Sequence, residues 1–410
     1  MTTPLDLDAW IALAVAGVTL VGVAFGRLPG VPLDRSGFAL VGAATLLALG
    51  VVDLETAAHL VDVEVIVLLV GLLLLNEALA EAGFFRSLTL WATRRARGPF
   101  TLLVSLVLAS GILSALFLND TIVLMLTPVV IHLTRALGVA PLPYLLALAL
   151  SANVGSVATV TGNPQNMLVS VAGGIEYGTF AAALAPVALV GLVLVVAVVA
   201  VGHRRDVTAT AFAHTAPEPQ HGASRRLWTL SATALAMLAS FVLGANVAVA
   251  AFTAGAVSLL LIGPSGPALL RRLDWSLLVL FGGLFVVVGA VRETGAAALA
   301  FDALGSWLTA GVVPLALVAA VASNLLSNVP AVLLLLPPIA AGGGGTGDLL
   351  VLAMASTLAG NLTLVGSIAN LIVAESARRH GVVVGFWAFA RVGVPATVLS
   401  LAFGVWWSSR

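Results

Sequence analysis

The sequence predicts an all-α polytopic membrane protein made of two inverted repeats. Each repeat has five transmembrane helices and one re-entrant hairpin, with broken helices at the membrane midplane. Three observations carry this. Of 410 residues, 60% are hydrophobic and 9% are charged, where a soluble domain carries about 25% charged residues. Many Leu/Val/Ala runs reach the roughly 20 residues that a spanning helix needs. The polar interruptions of the first half recur weakly in the second. Lipid admits only helices or closed barrels, and these runs lack the apolar/polar alternation of barrel strands.

Ten full spans are read at about 9–26, 36–52, 58–82, 142–175, 178–202, 228–244, 246–263, 275–291, 348–377 and 386–407. The N-terminal MTTPLDLDAW has Asp6 and Asp8 and no basic n-region, so it reads as the flank of a first span rather than a signal peptide. Two further apolar stretches, 99–134 and 309–341, are too long for one span and are interrupted by polar residues. They read as hairpins that enter and leave on one side. Residues 203–227, with Pro217, Pro219 and flanking Arg pairs, read as a cytoplasmic linker. His214 and His221 fall in it, and a solvated linker is the better account of them than a metal site. The first repeat is then 1–202 and the second 228–410.

The arginines test this topology, since cytoplasmic loops carry the basic excess. There is no Lys. With both termini outside, 16 of the 18 Arg fall on the cytoplasmic side, and only Arg292 and Arg410 fall outside. Reading either hairpin as a single crossing would spoil that split. The expected location is therefore the cytoplasmic (inner) membrane, with the lipid bilayer as solvent. Most of the eight Trp lie near predicted span ends, where amphipathic rings are at home. The absence of Cys excludes disulfides and thiol chemistry. A net charge of zero gives no reason to expect nucleic acid.

The repeat is legible in three places. EALAEAG at 77–83 matches GAVRETG at 289–295, an offset of 212 that pairs Glu81 with Glu293. SALFLNDTIVLMLTP at 114–128 matches SNLLSNVPAVLLLLP at 323–337, an offset of 209. There Ser114 pairs with Ser323 and Asn119 with Asn328. The stretch at 149–169 matches the one ending at 373, an offset of 204 that pairs Gly162 with Gly366 and Asn166 with Asn370. Five spans per half is odd, so the halves are inverted, an arrangement typical of secondary transporters.

Four polar breaks interrupt the apolar segments: Asn119-Asp120-Thr121, the run from Thr161 to Asn166, Ser327-Asn328, and Gly366-Ser367 with Asn370. Gly162, Pro164 and Gly366 favour broken helices. Half-helix N-termini attract electron-rich solutes, and the carbonyls at the opposite half-helix ends hold cations. Asp120 is the carboxylate among them. Intramembrane carboxylates are costly and are functional candidates for that reason; the bland alternative is that Asp120 caps the half-helix beginning at Thr121. Candidate solute ligands are Asn119, Asp120, Thr121, Asn163, Asn328, Ser327, Gly366 and Ser367. Candidate coupling-ion ligands are Asp120, Asn119, Gly162, Asn163 and Ser114, for H+ or Na+. Thr127, Thr159 and Thr161 read as packing hydroxyls. Glu77 and Glu81 read as a solvated span end, Arg292–Glu293 as a surface pair, and Glu375 with Arg378 and Arg379 as an interfacial cluster. The glycines Gly342–Gly345 lack the Lys and Ser/Thr of a phosphate loop. No cofactor, catalytic residue or resident metal is expected, and neither a passive channel nor an enzyme suits the pattern as well as a transporter.

The motifs LNDTIVLMLTP, TVTGNPQNMLV, SNVPAVLLLLP and LVGSIANLIV resemble the ion-transporter superfamily. That group includes citrate-transporter-like proteins, divalent-anion/sodium symporters, arsenite efflux pumps and one branch of sodium/proton antiporters. The resemblance spans both halves. It implies a transport domain of two hairpins and two broken helices, elevator-like movement, and a scaffold that dimerises. The dicarboxylate symporters of the group carry Ser-Asn-Thr at both tips; here the tips read Leu118-Asn119-Asp120 and Ser327-Asn328-Val329. An ionised Asp120 would repel a dicarboxylate. Asn-Asp and Gly-Ser-x-Ala look more like the arsenite-pump branch, whereas GNPQN looks like the citrate-transporter-like members. The leading expectation is proton-coupled efflux of arsenite or antimonite, for which a cytoplasmic ATPase subunit would be a partner. A sodium- or proton-coupled di/tricarboxylate or other anion transporter, and a sodium/proton antiporter, stay open.

Overall fold

The computed structural model describes residues 6–26, 30–93, 96–207, 212, 225–297, 305 and 307–410. His214 and His221 of the linker, and Arg27, Arg94 and Arg95 of the charge pattern, lie outside the described residues. Those residues are almost entirely helical and contain no strand. The first half runs α1 (Leu7–Phe25), α2 (Arg35–Ala48), α3 (Leu54–Leu60), α4 (Val63–Glu81), α5 (Phe84–Thr93), α6 (Pro99–Leu116), α7 (Asn119–Ala136), α8 (Pro141–Ser156), α9 (Pro164–Gly173), α10 (Tyr177–Gly202) and the single turn α11 (Arg204–Val207). The second half runs α12 (Arg225–Val242), α13 (Val247–Ile262), α14 (Gly266–Arg272), α15 (Trp275–Glu293), α16 (Val312–Leu326), α17 (Asn328–Ala341), α18 (Thr346–Ala359), α19 (Ile368–Arg379) and α20 (Phe386–Ser408).

The acids flanking the apolar segments start helices. Asp6, Asp34, Asp53, Asp62 and Asp274 each accept a hydrogen bond from the backbone N–H three residues on, at 2.7–3.2 Å. Each side chain meets one of the orphan donors at a helix N-terminus, a cap worth about 1 kcal/mol. Asp120 does not do this. Helix α7 begins at Asn119 after Leu118, with no side-chain cap, and Asp120 lies inside its first turn. The capping account of Asp120 is thereby corrected.

Among the described residues seven helices are long and apolar enough to cross a membrane. They are six of the expected spans (α1, α4, α10, α13 with α14, α15 and α20) and α6, the first hairpin arm. Of the other expected spans, α2 has 14 residues, α12 begins with Arg225 and Arg226, and two are broken. The first break separates α8 from α9 and holds one 3-10 turn, Val160–Gly162; the second separates α18 from α19. The hairpins are α6–α7, turning at Phe117 and Leu118, and α16–α17, turning at Ser327. Four short helices, α3, α5, α11 and α14, lie wholly or mostly outside the spans and hairpins read from the sequence. Short α5 is amphipathic rather than continuously apolar, and Phe84 and Phe85 on it pack edge-on against Phe117 at the hairpin turn, with ring centroids 5.8 and 5.4 Å away. Short α14 follows α13 through a Gly-Pro turn.

The helices form two groups. One joins α1, α2 and α15 with α4, α12 and α13; the other joins both hairpins and both broken helices with α10 and α20. In the first group α2 packs along α15, and α13 along α4. Both crossings are made at glycine. A Cβ on Gly71 would stand 2.4 Å from the backbone of Ala251, and one on Gly283 would stand 2.6 Å from the backbone of Ala39. Gly283 and Ala251 are Gly71 and Ala39 advanced by the repeat offset of 212. Close backbone approach at small residues is how helices associate in lipid, where no hydrophobic effect drives them together.

Gly71→Ala and Gly283→Ala are each expected to lower the thermal midpoint of the purified protein, since forcing the helices apart costs about 1–3 kcal/mol. Gly282→Ala, with nothing within 4 Å of its Cβ, is the control that should leave the midpoint unchanged.

Candidate functional site

Each break is pinned by a polar side chain from the other half. Asn153, on α8, is the first pin. It accepts hydrogen bonds from Asn119 Nδ2 and Ser367 Oγ, both at 3.0 Å. It donates to Asn361 Oδ1 at 2.8 Å and to Asn370 Oδ1 at 3.0 Å. Asn370 in turn donates to the carbonyls of Gly360 and Thr363 at 2.8 and 3.2 Å. The carbonyls that the second break leaves open are thus closed by side chains.

Thr357, on α18, is the second pin, and it is Asn153 advanced by the offset of 204. It accepts from Asn163 Nδ2 at 3.3 Å and Gln165 Nε2 at 3.1 Å, and donates to Asn166 Oδ1 at 3.4 Å. Asn166 donates to the carbonyls of Ser156 and Thr159 at 2.9 and 2.8 Å. Asn163 caps α9 by accepting from Asn166 N at 2.9 Å and donates to Ser156 Oγ at 3.0 Å. Thr159 donates to the carbonyl of Ala115 and Thr161 to that of Leu116, which ties the first break to the end of α6. The two breaks fold tightly onto the half-helices that precede them. A Cβ on Gly162 would stand 2.3 Å from the Ser156 carbonyl oxygen, and one on Gly366 3.0 Å from that of Gly360.

The hairpin tips meet beside these breaks. A cavity of about 30 Å³ is lined by Asn119, Asp120, Ser327, Asn328, Gln165 and Ser367, and also by Arg35 of α2 and Leu277 and Leu280 of α15. That is room for a water-sized group. Asn328 accepts from Ser323 Oγ at 2.6 Å. Ser327 has φ 77°, the one non-Gly residue with positive φ among the described residues, a conformation that costs about 1–3 kcal/mol and concentrates at functional sites. The Asp120 side chain makes no hydrogen bond among the described residues and is half-buried.

Of the residues expected from the sequence, Asn119, Asp120, Ser327, Asn328 and Ser367 converge on the cavity. Thr121 and Gly366 adjoin it without lining it. Gly162 and Asn163 serve the break itself. Ser114 is fully buried in α6 and its hydroxyl has no partner. Glu81 pairs with Arg272 at 3.3 Å, Arg292 with Glu293 at 3.2 Å, and Glu375 with Arg378 and Arg379; all are outside the cavity. Sequence reading missed Asn153, Thr357 and Asn361. The offset of 204 that pairs Gly162 with Gly366 also pairs the first two, and that was the available signal. It also left Arg35 among the ordinary cytoplasmic arginines.

Hairpins and broken helices around a small cavity of polar and apolar side chains, within a bundle of apolar helices, define a membrane transporter. A model of the citrate transporter family (CitMHS) matches residues 20–348, and the chain belongs to that family. An uncharacterized transporter of Mycobacterium tuberculosis is 29% identical over 414 residues, covering 95% of this chain and 96% of its own. The silicon efflux transporter LSI3 of Oryza sativa subsp. japonica is 28% identical over 461 residues, covering 95% of each chain. The crystal structure of the Alcanivorax borkumensis YdaH transporter shares the fold, with a TM-score of 0.54 and 18% identity over 98% of this chain and 96% of that one.

Asn153→Ala is expected to strip partners from four side chains at once, at about 1–3 kcal/mol for each buried group left unpaired. Its thermal midpoint should fall well below that of Asp120→Asn, which breaks no hydrogen bond. Differential scanning fluorimetry of the two variants checks the order.

Proposed function

We propose that the chain is a secondary-active, elevator-type transporter that exports arsenite or antimonite in exchange for protons. The observation that carries this is the chemistry of the small cavity: amides and hydroxyls, half-helix N-termini and, among the described residues, the single carboxylate Asp120, with Arg35 as its one cation. A neutral trihydroxy solute needs hydrogen-bond donors and acceptors rather than a field of positive charge. Dissolved silicon and arsenite are both small neutral polyhydroxy species at neutral pH, so the name of the rice relative agrees with this reading. Asp120 carries the proton, and the solute and the proton use the cavity in turn. The two halves, 1–202 and 228–410, act as inverted repeats. The hairpins and broken helices move against α1, α2, α4, α12, α13 and α15. The protein sits in the cytoplasmic membrane with both termini outside and pairs as a homodimer.

A second reading is a cation-coupled di/tricarboxylate or other anion transporter. The presence of Arg35 on the cavity wall favours it, because a guanidinium suits a carboxylate, as does the name of the family model. Sodium would replace the proton as coupling ion in one form of it.

Everted vesicles energised to be acidic inside separate these readings. Arsenite is expected to accumulate while lumenal protons are consumed, and both fluxes should vanish with an uncoupler and in Asp120→Asn, with the protein still folded. Accumulation unchanged in Asp120→Asn would remove Asp120 from coupling. No arsenite accumulation, with citrate or succinate moving instead, would establish the second reading.

A further inference from the structure

Arg35 stands on the fixed side of the cavity. It is the first residue of α2, which Asp34 caps, and α2 packs along α15 in the group without hairpins. Its side chain lies over the C-terminal end of α1: a Cβ on Gly26 would stand 3.0 Å from Arg35 Nε. The negative end of that helix suits a guanidinium. The side chain is half-buried and makes no hydrogen bond or ion pair among the described residues. It looks across the cavity at Asp120, which belongs to the first hairpin. Among the described residues Arg35 is the one other charged side chain that lines the cavity with Asp120, and Asp274 stands at the start of α15, whose Leu277 and Leu280 line it too. Arg86 on α5, Glu375 and Arg378 on α19, and His380 just past its end are outside the cavity lining. His380 meets His132 near the other end of α7, about 18 Å from Asp120 at 1.5 Å per residue.

The repeat shows what the opposite end of the scaffold offers. The offset of 212 carries Asp34 to Asn246, and both cap their helices. It carries Asp274 to Asp62, again both caps. It carries Arg35 to Val247. Near Val247 the side chain of Asn246 donates to Glu64 at 2.7 Å. One end of the scaffold therefore presents a cation and a carboxylate to an arriving hairpin tip. The other presents an apolar side chain and two carboxylates, and the cation beside Asp62, Arg292, is already paired with Glu293 at 3.2 Å.

We propose that Arg35 is a fixed counter-charge that makes the two ends of the scaffold unequal for the moving hairpin. It retains the first tip beside α2 while Asp120 is ionised and releases it when Asp120 is neutral. This rests on the moving-carrier reading above. Coulomb attraction between a partly buried pair far exceeds its value in bulk water, and the partner on the scaffold does not travel. The coupling residue on the hairpin then needs a specificity residue on the scaffold, and Arg35 fills that role.

The chain has no cysteine, so paired cysteines report position cleanly. Leu277 and Val329 line the same cavity from the scaffold and from the second tip. In the Leu277→Cys/Val329→Cys protein in vesicles, copper-catalysed cross-linking is followed from about pH 5 to about pH 9, a range that spans the titration of perturbed carboxylates. The yield is expected to be high at alkaline pH and to fall on acidification, and to lose that response in Asp120→Asn. Arg35→Gln should lower the alkaline yield roughly threefold or more and flatten the profile, while Arg35→Lys keeps it. Arg35→Val with Val247→Arg should invert it. An unchanged profile in Arg35→Gln, or a flat one in Arg35→Lys, overturns the role of Arg35 alone. A parent pair whose yield ignores pH, and equals that of Asp120→Asn, overturns the moving, Asp120-coupled carrier as well.

Discussion

A helix broken inside a hydrocarbon layer exposes backbone groups that no water can satisfy. Each such group costs several kcal/mol unless the protein supplies a partner. The structure meets this constraint in two layers. Within each half Asn166 or Asn370 closes the carbonyls of its own break, and Thr357 or Asn153 from the other half holds that amide in place. The same bonds fix Asn119, Ser367 and Gln165 in place, so the walls of the cavity follow from the way the breaks are satisfied.

Two kinds of polar residue therefore share the middle of the fold. Asn163, Asn166, Asn361 and Asn370 are occupied by backbone and by one another. Asp120, Ser327 and Arg35 border the cavity with weaker ties: Asp120 and Arg35 have no hydrogen-bond partner among the described residues, and Ser327 holds a strained backbone. A rigid, fully bonded frame around a few uncommitted groups is what selective binding requires, because the frame fixes geometry and the free groups supply chemistry. Arg35 differs from the rest in origin. It comes from the helices that carry no hairpin, so its relation to Asp120 changes if the two groups of helices slide.

Much of this was legible before any coordinates. Composition gave the membrane class, and interruptions at Asn119, Gly162, Ser327 and Gly366 marked the hairpin tips and breaks within a residue or two. Hydrophobic run length and turn residues are local properties, so they survive in a linear reading. The helices that were missed, α3, α5, α11 and α14, are short and lie between spans, where no long apolar run announces them. The pins were missed for another reason. Asn153 sits in an unbroken half-helix, and only the packing of α8 against α19 shows what it touches. The bland account of Asp120 failed because the helix begins at Asn119, two residues earlier than that capping pattern requires. Arg35 was counted for topology by its charge, which hid its position at the seam. His214 and His221 stay outside the described residues.

The central claim is that solute and proton exclude one another at Asp120. Arsenite added to the purified protein in weakly buffered solution tests it most directly, with proton release followed alongside binding. The account predicts that binding releases protons from the wild type near neutral pH and none from Asp120→Asn. Arsenite binding of equal affinity in both proteins, with no proton released from either, would contradict it.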